Sequence, residues 1–597
     1  MNRPALPRPA NTVGVVVAWV LAALLVAAIM ATTWVAVRGY LAYGHLRKVE
    51  TTASVAKADI SDPAKASAAI TRLTHDTSAA RSLTSDPIWR LAEGLPWVGP
   101  QLHAVSTLAA AVDDVAGKAL RPLADVAASF KLNSLQPTGG AINLSAFTSI
   151  RAAAATGAMQ IGEAAASVDA IKRRPLVAPL RDAVDQVSAL FGETETAAEV
   201  LVRTTTLLPP MLGADGPRNY LVIFQNNAEL RSLGGISGAM ALIHTDHGTM
   251  TMAAQDSSGG FPRYDKPVVP LSKEILGIYG ERPAQWMQNV TLVPDFALTG
   301  KIAREMWARE HDGQKVDGVV SLDPVALSYL LQATGPVKLP SGELLSSKNA
   351  VSLLLNGVYL RYEDPREQDA FFASAAAAVF QALSDGRAQP AELVQALTRA
   401  GDERRLLLWS AHPSDQKILA DTTLAGGLPV SDRTGTRFGV YLNDGTGSKM
   451  DYYLRDDVQV GWQGCSSAGS TTSGTATLTI KLTNAAPEDA ASLPEYITGG
   501  GVYGVSPGTS RTIGYVYLPK GFQLQKAALS THKGFGGGTH DGRQVLTFTF
   551  DLKPGQSASA TFSGLITGAP SPELDIESTP TVNSGHTQPV AVSCPTA

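Results

Sequence analysis

The sequence predicts a multidomain chain: an N-terminal transmembrane helix, an α-helical stalk or bundle, a central α/β domain, and a C-terminal all-β, immunoglobulin-like sandwich. Three observations carry that reading. No charged residue occurs from Val13 to Val37, Ala-rich segments with apolar residues at helical spacing follow, and alternation with period two takes over from about Arg437. The boundaries expected are a cytoplasmic tail over 1–12, a membrane span over 13–37, a helical region over 41–210, an α/β domain over 215–425 and a β-sandwich over 437–597.

A chain of 597 residues is too long for one hydrophobic core, since domains average about 150 residues. A net charge of -4 leaves no basic footprint for nucleic acid, and a hydrophobic content of 44% argues against extensive disorder. The two cysteines, Cys465 and Cys594, lie far apart and lack the C-x-x-C spacing of a zinc or thioredoxin-type site. A disulfide closing one C-terminal domain is expected, which calls for an oxidising compartment.

As helix at about 1.5 Å per residue, Val13–Val37 extends about 37 Å, enough to cross a bilayer with some tilt. A cleaved signal peptide is the rival reading. Its apolar region is shorter, about 7 to 15 residues, and Trp34-Val-Ala-Val-Arg38 offers no small-residue cleavage site. An uncleaved single-pass anchor in the plasma membrane is expected. Arg3 and Arg8 on one flank and Arg38, Arg47 and Lys48 on the other leave orientation ambiguous by charge. The expected disulfide and the long downstream domains place everything after Tyr40 outside the cytoplasm.

Between 41 and 207, Ala104, Leu108, Ala111, Val112 and Val115 illustrate the helical spacing. Pro87, Pro96 and Pro100 bracket Trp89 and Trp97, a turn whose aromatics either pin a helical hairpin or lie near the membrane surface. Gln136–Gly140 reads as a loop, and Leu207–Gly213 ends the helices.

The central domain is organised around Asn219–Met252. Tyr220–Phe224 is an apolar run of strand length, expected to stop at Gln225-Asn226-Asn227 so that the polar groups face solvent or a ligand. Glu229 and Arg231 follow, then Gly234-Gly235, and a second strand over Ala239–Thr245 turns at Asp246-His247-Gly248 into a third. Beyond the Gly-rich loop Gln255–Pro262, helices over 295–310 and 324–333 flank a short strand at 316–322, which is α/β alternation. Further helices are expected over 346–362, from the charged turn 361–369 to about Leu383, and over 390–400, before a strand at 405–409. In the last domain Thr475–Thr483 and Val545–Asp551 alternate with period two, and Lys553-Pro-Gly-Gln turns into Ala558–Ile566.

Several motifs fail on their chemistry. Gly499–Gly504 matches G-x-G-x-x-G, but no helix follows to aim amides at a pyrophosphate. Gly504–Gly508 matches G-x-S-x-G, yet Pro507 has no N–H for an oxyanion. His244 and His247 lack a third metal ligand and read as a solvated turn.

The candidate ligand-binding set is Gln225, Asn226, Asn227, Glu229 and Arg231, with Arg263, Arg361, Arg366 and Asp369 converging on them. Guanidinium forks match phosphate geometry, and a carboxylate could hold a divalent cation such as Mg that bridges phosphates. The alternative is a buried Glu229–Arg231 ion pair beside an unremarkable charged turn. No catalytic residue is assigned, and no metal or cofactor is expected unless the site is enzymatic.

The pattern strand, Q-N-x-A-E-L-R-x-x-G-G, strand, D-x-G at 219–248 resembles the bacterial domain-of-unknown-function family numbered 4012, as do Trp89–Gly99, Asp317–Val337 and Gly447–Leu454. That resemblance implies a cell-envelope protein with one membrane anchor. The central domain is more distantly similar to the LytR-CpsA-Psr enzymes, which transfer lipid-pyrophosphate-linked glycopolymers to peptidoglycan. Where that family carries Arg-Ser-Asp-Thr this chain has Arg231-Ser-Leu-Gly234, so the family's metal-binding Asp is missing there. The function expected is therefore a membrane-anchored extracytoplasmic protein that binds an envelope polymer or a protein partner. A phosphotransferase acting on lipid-linked glycopolymers is the alternative. Beside the membrane itself, the partners expected are a cell-wall polymer or a polyprenyl-phosphate lipid, and not nucleic acid.

Overall fold

A computed structural model describes residues 8–58, 63–129, 141–432, 434–468, 471–531, 533–583 and 594. The loop expected over 136–140 and the first residues of the N-terminal tail lie outside them. The chain divides into two compact units, one of residues 1–135 with 143–209, the other of 136–142 with 210–597.

The first unit is helical: α1 (Arg8–Ala58), α2 (Pro63–Thr84), α3 (Pro87–Ala92), α4 (Gly99–Asp114), α5 (Arg121–Ser129), α6 (Ser145–Asp169) and α7 (Ala178–Met211), the last running across the unit boundary. Within α1, Trp19–His45 is long and apolar enough to cross a membrane. Asp86 starts α3 by accepting from the amides of Ile88 and Trp89, with Pro87 at the first helical position where its missing N–H costs nothing. The bundle core joins Leu108, Val115, Ile161, Val168, Val184 and Phe191 from α4, α6, α7 and the turn after α4.

The second unit opens with β1 (Arg218–Arg231), β2 (Gly234–Asp246) and β3 (Thr249–Ser257), followed by α8 (Lys273–Tyr279), α9 (Phe296–Glu310), β4 (Gly318–Leu322) and α10 (Pro324–Thr334). Two-residue strands β5 (Val337–Lys338) and β6 (Leu344–Leu345) form a small hairpin. Next come α11 (Ala350–Ser352), α12 (Val358–Arg361), α13 (Pro365–Ser384), α14 (Pro390–Asp402) and β7 (Leu406–Ser410). The helix expected over 346–362 is thus broken, with a wider π turn at Leu353–Gly357 between its two short α pieces.

One sheet has the order β3-β2-β1-β4-β7, with β1 and β4 parallel and the other pairs antiparallel. A parallel neighbour requires a crossover, and α9 lies within it. It packs Phe296, Ile302, Met306 and Trp307 with Leu221, Ile223, Val319 and Trp409 of the sheet. A separate core brings α10 and α13 together through Leu327, Leu331, Phe371 and Val379.

Beyond α15 (Pro413–Leu419) the chain is almost all strand: β8 (Thr436–Asp444), β9 (Leu454–Ala468), β10 (Thr471–Asn484), then short α16 (Glu495–Thr498), β11 (Ser510–Tyr517), β12 (Gln523–Leu529), β13 (Gly536–His540), β14 (Arg543–Leu552), β15 (Ser557–Ala569) and β16 (Leu574–Ser578). They form two sheets, β12-β15-β10-β9 and β13-β14-β11-β8-β16, which share one apolar core. Phe438, Val440, Val516, Phe548 and Phe550 enter it from one sheet, and Val460, Leu478, Ile480 and Phe562 from the other. Cys465 of β9 is bonded to Cys594, with their Cα atoms 5.1 Å apart. Leu230, at the far end of β1, is fully buried in this same core.

The first hairpin differs from the sequence expectation. Strand β1 does not stop at Phe224 but continues to Arg231, with register shifts after Phe224 and after Asn226. Its partner begins at Gly234, five residues earlier than expected. Gly235 is required there, because a Cβ would lie 2.3 Å from the Asn226 carbonyl carbon.

Candidate functional site

Gln225, Asn227, Glu229 and Arg231 are buried, with relative exposures of 2%, 0%, 4% and 7%, so of the two expectations for these polar groups, solvent or a ligand, the solvent-facing one is overturned. A polar side chain can be buried where a partner replaces water, and each of these has partners from distant parts of the chain. Gln225 donates to the Ser321 hydroxyl and accepts from the amide of Gly235. Asn226 donates to the Tyr359 hydroxyl. Asn227 donates to Asp323 at 3.0 Å and to the Pro580 carbonyl at 2.9 Å. Asp323 in turn pairs with Arg405 at 2.7 Å, and Arg405 donates to the Thr581 carbonyl. The carboxylate of Asp323 also caps α10 by accepting from the amide of Ala326.

Glu229 lies between two cations. One carboxylate oxygen takes Arg231 Nη2 at 2.8 Å and the other takes Lys449 Nζ. Burial alone would raise the Glu229 carboxyl, but Lys449 and Arg231 more than offset it and hold its pKa below the usual value. Burial would likewise lower Lys449, and the Glu229 charge reverses the sign. The ammonium also sits 5.2 Å from the Tyr496 ring centroid and 5.7 Å from that of Tyr359.

Two more carboxyls complete the cluster. Asp444 accepts from the amides of Thr446 and Gly447 and from the Thr446 hydroxyl, closing the turn that carries Lys449. Burial, together with the Glu229 charge, pushes it up to about 6. Asp451 accepts from the amide of Leu230 at 2.9 Å, and burial with nearby Asp444 drives its pKa well up. Residues 447–454 therefore fold against residues 219–252, and 317–337 supplies Ser321 and Asp323 to the same network.

Beside this network is a cavity of about 600 Å³. Gln225, Asn226, Glu229 and Asp369 of the expected set line it, together with Lys449, Gln368, Tyr359, Tyr496, Phe372 and the carboxylates Glu363 and Glu495. Tyr359 and Tyr496 are stacked, their centroids 5.4 Å apart, and Phe372 tilts against Tyr359 at 6.0 Å. On the wall, Gln288 donates to the Ser258 carbonyl, while its Oε1 is buried and accepts nothing among the described residues.

The arginines do not converge. Arg231 is not part of the cavity's lining and donates to Glu229, to its neighbour's carbonyl and to Asn289. Arg263 lies over the Trp286 ring, Arg361 pairs with Glu343 at 2.7 Å, and Arg366 pairs with Asp364 at 2.7 Å, the last two on the surface. None of them lines the cavity. His247 is exposed and paired with Asp246, and among the described residues no three His, Cys, Asp or Glu side chains cluster as a metal site would require. Lys449, Tyr359, Tyr496 and Gln368 escaped sequence reasoning. Lys449 was signalled only by its place in the motif at 447–454.

A membrane-compatible N-terminal helix and a mixed α/β sheet locked to a two-sheet β region define the class of architecture. Residues 215–359 match the family model DUF4012, described as a protein of unknown function. The match spans β1 to β4, α10 and the Asn226–Tyr359 hydrogen bond, and includes the motifs at 219–252 and 317–337; those at 89–99 and 447–454 lie outside it. No curated protein matches the sequence.

Proposed function

We propose that the protein is a single-pass, extracytoplasmic component of the cell envelope that binds a neutral or amino-bearing saccharide segment of an envelope polymer in the Tyr359–Tyr496 cavity. The observation that carries this is the lining itself. Amides from Gln225, Asn226 and Gln368, aromatic faces from Tyr359, Tyr496 and Phe372, and an unused acceptor on Gln288 suit a ligand rich in hydroxyl donors. Glu363, Asp369 and Glu495 add negative charge to the wall, and the only cation on it, Lys449, is already paired with Glu229 among the described residues. Such a wall repels phosphate and favours a protonated amine. The scattered arginines support binding over phosphotransfer. In this reading the α/β domain over 215–425 and an immunoglobulin-like sandwich over 437–597 together frame the site, and the span over 13–37 tethers both outside the cytoplasm.

The test is binding of neutral, amino-bearing and phosphorylated oligosaccharides to the full chain in lipid nanodiscs. Tyr496→Ala is expected to weaken saccharide binding about tenfold, the equivalent of roughly 1.4 kcal/mol for a lost stacking face. Asp369→Asn should weaken the amino-bearing ligands selectively. Preference for the phosphorylated ligands, or indifference to Tyr496→Ala, would sink the proposal. Orientation is checked separately by adding protease to intact spheroplasts, which should digest both units.

A further inference from the structure

The helical unit carries a second cavity, of about 1290 Å³ and lined almost wholly by apolar side chains. One wall is the membrane span itself, from Ala28 to Gly39, and the others come from the turn at Ile88–Val98 and from α4 and α7, including Val105, Leu180 and Val187. Arg38, the first charge after the uncharged run that ends at Val37, sets the level. Its guanidinium donates to the Ser82 and Leu83 carbonyls at the end of α2 and pairs with Asp86 at 3.1 Å. These are the orphan acceptors of a helix C-terminus, where a cation is favoured.

At that level α3 meets the span, and residues of α3 and its turn share the cavity's lining with it. The Trp89 ring faces Gly39, where an added Cβ would come within 3.6 Å of it. Ala28 lies ten residues before Arg38, hence about 15 Å deeper along the helix, roughly one leaflet of a ~30 Å hydrocarbon layer. The Ile88–Val98 turn exposes apolar side chains: Leu91 is 78% exposed, Leu95 51% and Trp97 90%. Trp97 is held at φ +70, and Gly99 admits no Cβ, which would fall 2.1 Å from the Glu93 carbonyl oxygen. The tip is thus shaped tightly while presenting a large aromatic outward. Glu93, its acidic residue, is turned to the bundle, where it accepts from Ser106 at 2.5 Å.

We propose that this groove is a lipid site, holding one hydrocarbon chain of a bilayer lipid between the span and α4 and α7, with the Ile88–Val98 tip seated in the leaflet on the Arg38 side. The inference rests on the reading of the uncharged part of α1, ending at Val37, as a membrane span, because only a wall shared with a spanning helix makes lipid the solvent of the groove. An interfacial tryptophan at the tip is then an anchor rather than an aggregation hazard.

The experiment places the full chain in phosphatidylcholine nanodiscs containing a phosphatidylcholine with a diazirine on its acyl chain, followed by photolysis and peptide mapping. Adducts are expected on 28–37 and also on α4 and α7 around Val105, Leu180 and Val187. Ala183→Phe, which fills the groove, should lower the α7 adducts about tenfold while leaving those on the span unchanged, as for loss of about two buried methylenes. Adducts on the span with none on α4 or α7 would overturn the lipid site and leave the span intact. Adducts on neither would overturn both, so the two failures are distinguishable.

Discussion

The Arg231 side chain separates a structural role from a ligand-binding one. It donates in three directions, to Glu229 at 2.8 Å, to the Leu230 carbonyl at 2.8 Å and to Asn289 at 3.2 Å, from a site only 8% exposed. A lysine keeps the charge but cannot reproduce a planar fork, so Arg231→Lys should lose about two of these hydrogen bonds. At roughly 1.5 kcal/mol each for bonds to a charged donor, the cost is about 3 kcal/mol. Glu229→Gln should cost at least as much, about 3 to 5 kcal/mol, because it leaves Lys449 and Arg231 facing each other without their shared carboxylate. For a cooperative unit of this size, about 3 kcal/mol lowers the melting temperature by about 4 °C. Calorimetry of the full chain in nanodiscs, beside saccharide binding at a temperature where both variants remain folded, reads both roles. Unchanged melting with lost binding in Arg231→Lys would refute the assignment, since a residue outside the cavity lining should affect stability and spare affinity.

Other expectations follow from the same geometry. The Asp444 carboxyl is raised from 3.8 to about 6, so the folded state binds its proton more tightly than the unfolded state does; its contribution is present below pH 4 and is lost as pH rises to about 6. That amounts to about 3 kcal/mol, and Asp444→Asn should flatten this part of the stability profile measured by urea unfolding from pH 4 to 7; an unaltered slope would contradict it. Glu229 has the opposite sign, its lowered pKa making stability fall as pH drops below about 4.5. Replacing Cys465 and Cys594 by serine removes a link between residues 129 apart and should cost about 4 to 5 kcal/mol on the chain-entropy estimate, read as a shift in the urea midpoint. Arg361→Ala and Arg366→Ala remove only surface pairs and should leave both stability and saccharide affinity unchanged, whereas a large loss of binding would revive a phosphate site.

What the sequence determined by itself was local and periodic. The uncharged run at 13–37, the helix starts at Pro324 and Pro390, and the alternation in β10 and β14 all arise from residues within a few positions of one another. The late cysteine pair also announced its bond, there being no other cysteine to compete. Tertiary structure decided the rest. Read locally, Gln225 to Arg231 is a polar segment that belongs in water. It is buried because Ser321, Asp323, Tyr359, Lys449, Asp451 and the Pro580 carbonyl arrive from up to 353 residues away to satisfy it. Conversely, Arg361 and Arg366 find carboxylates close at hand, Glu343 and Asp364, and so never reach the site to which their chemistry seemed suited. Charge and hydrogen-bonding capacity are written in each residue, but whether water or a partner answers them depends on pairings that no short window of sequence contains.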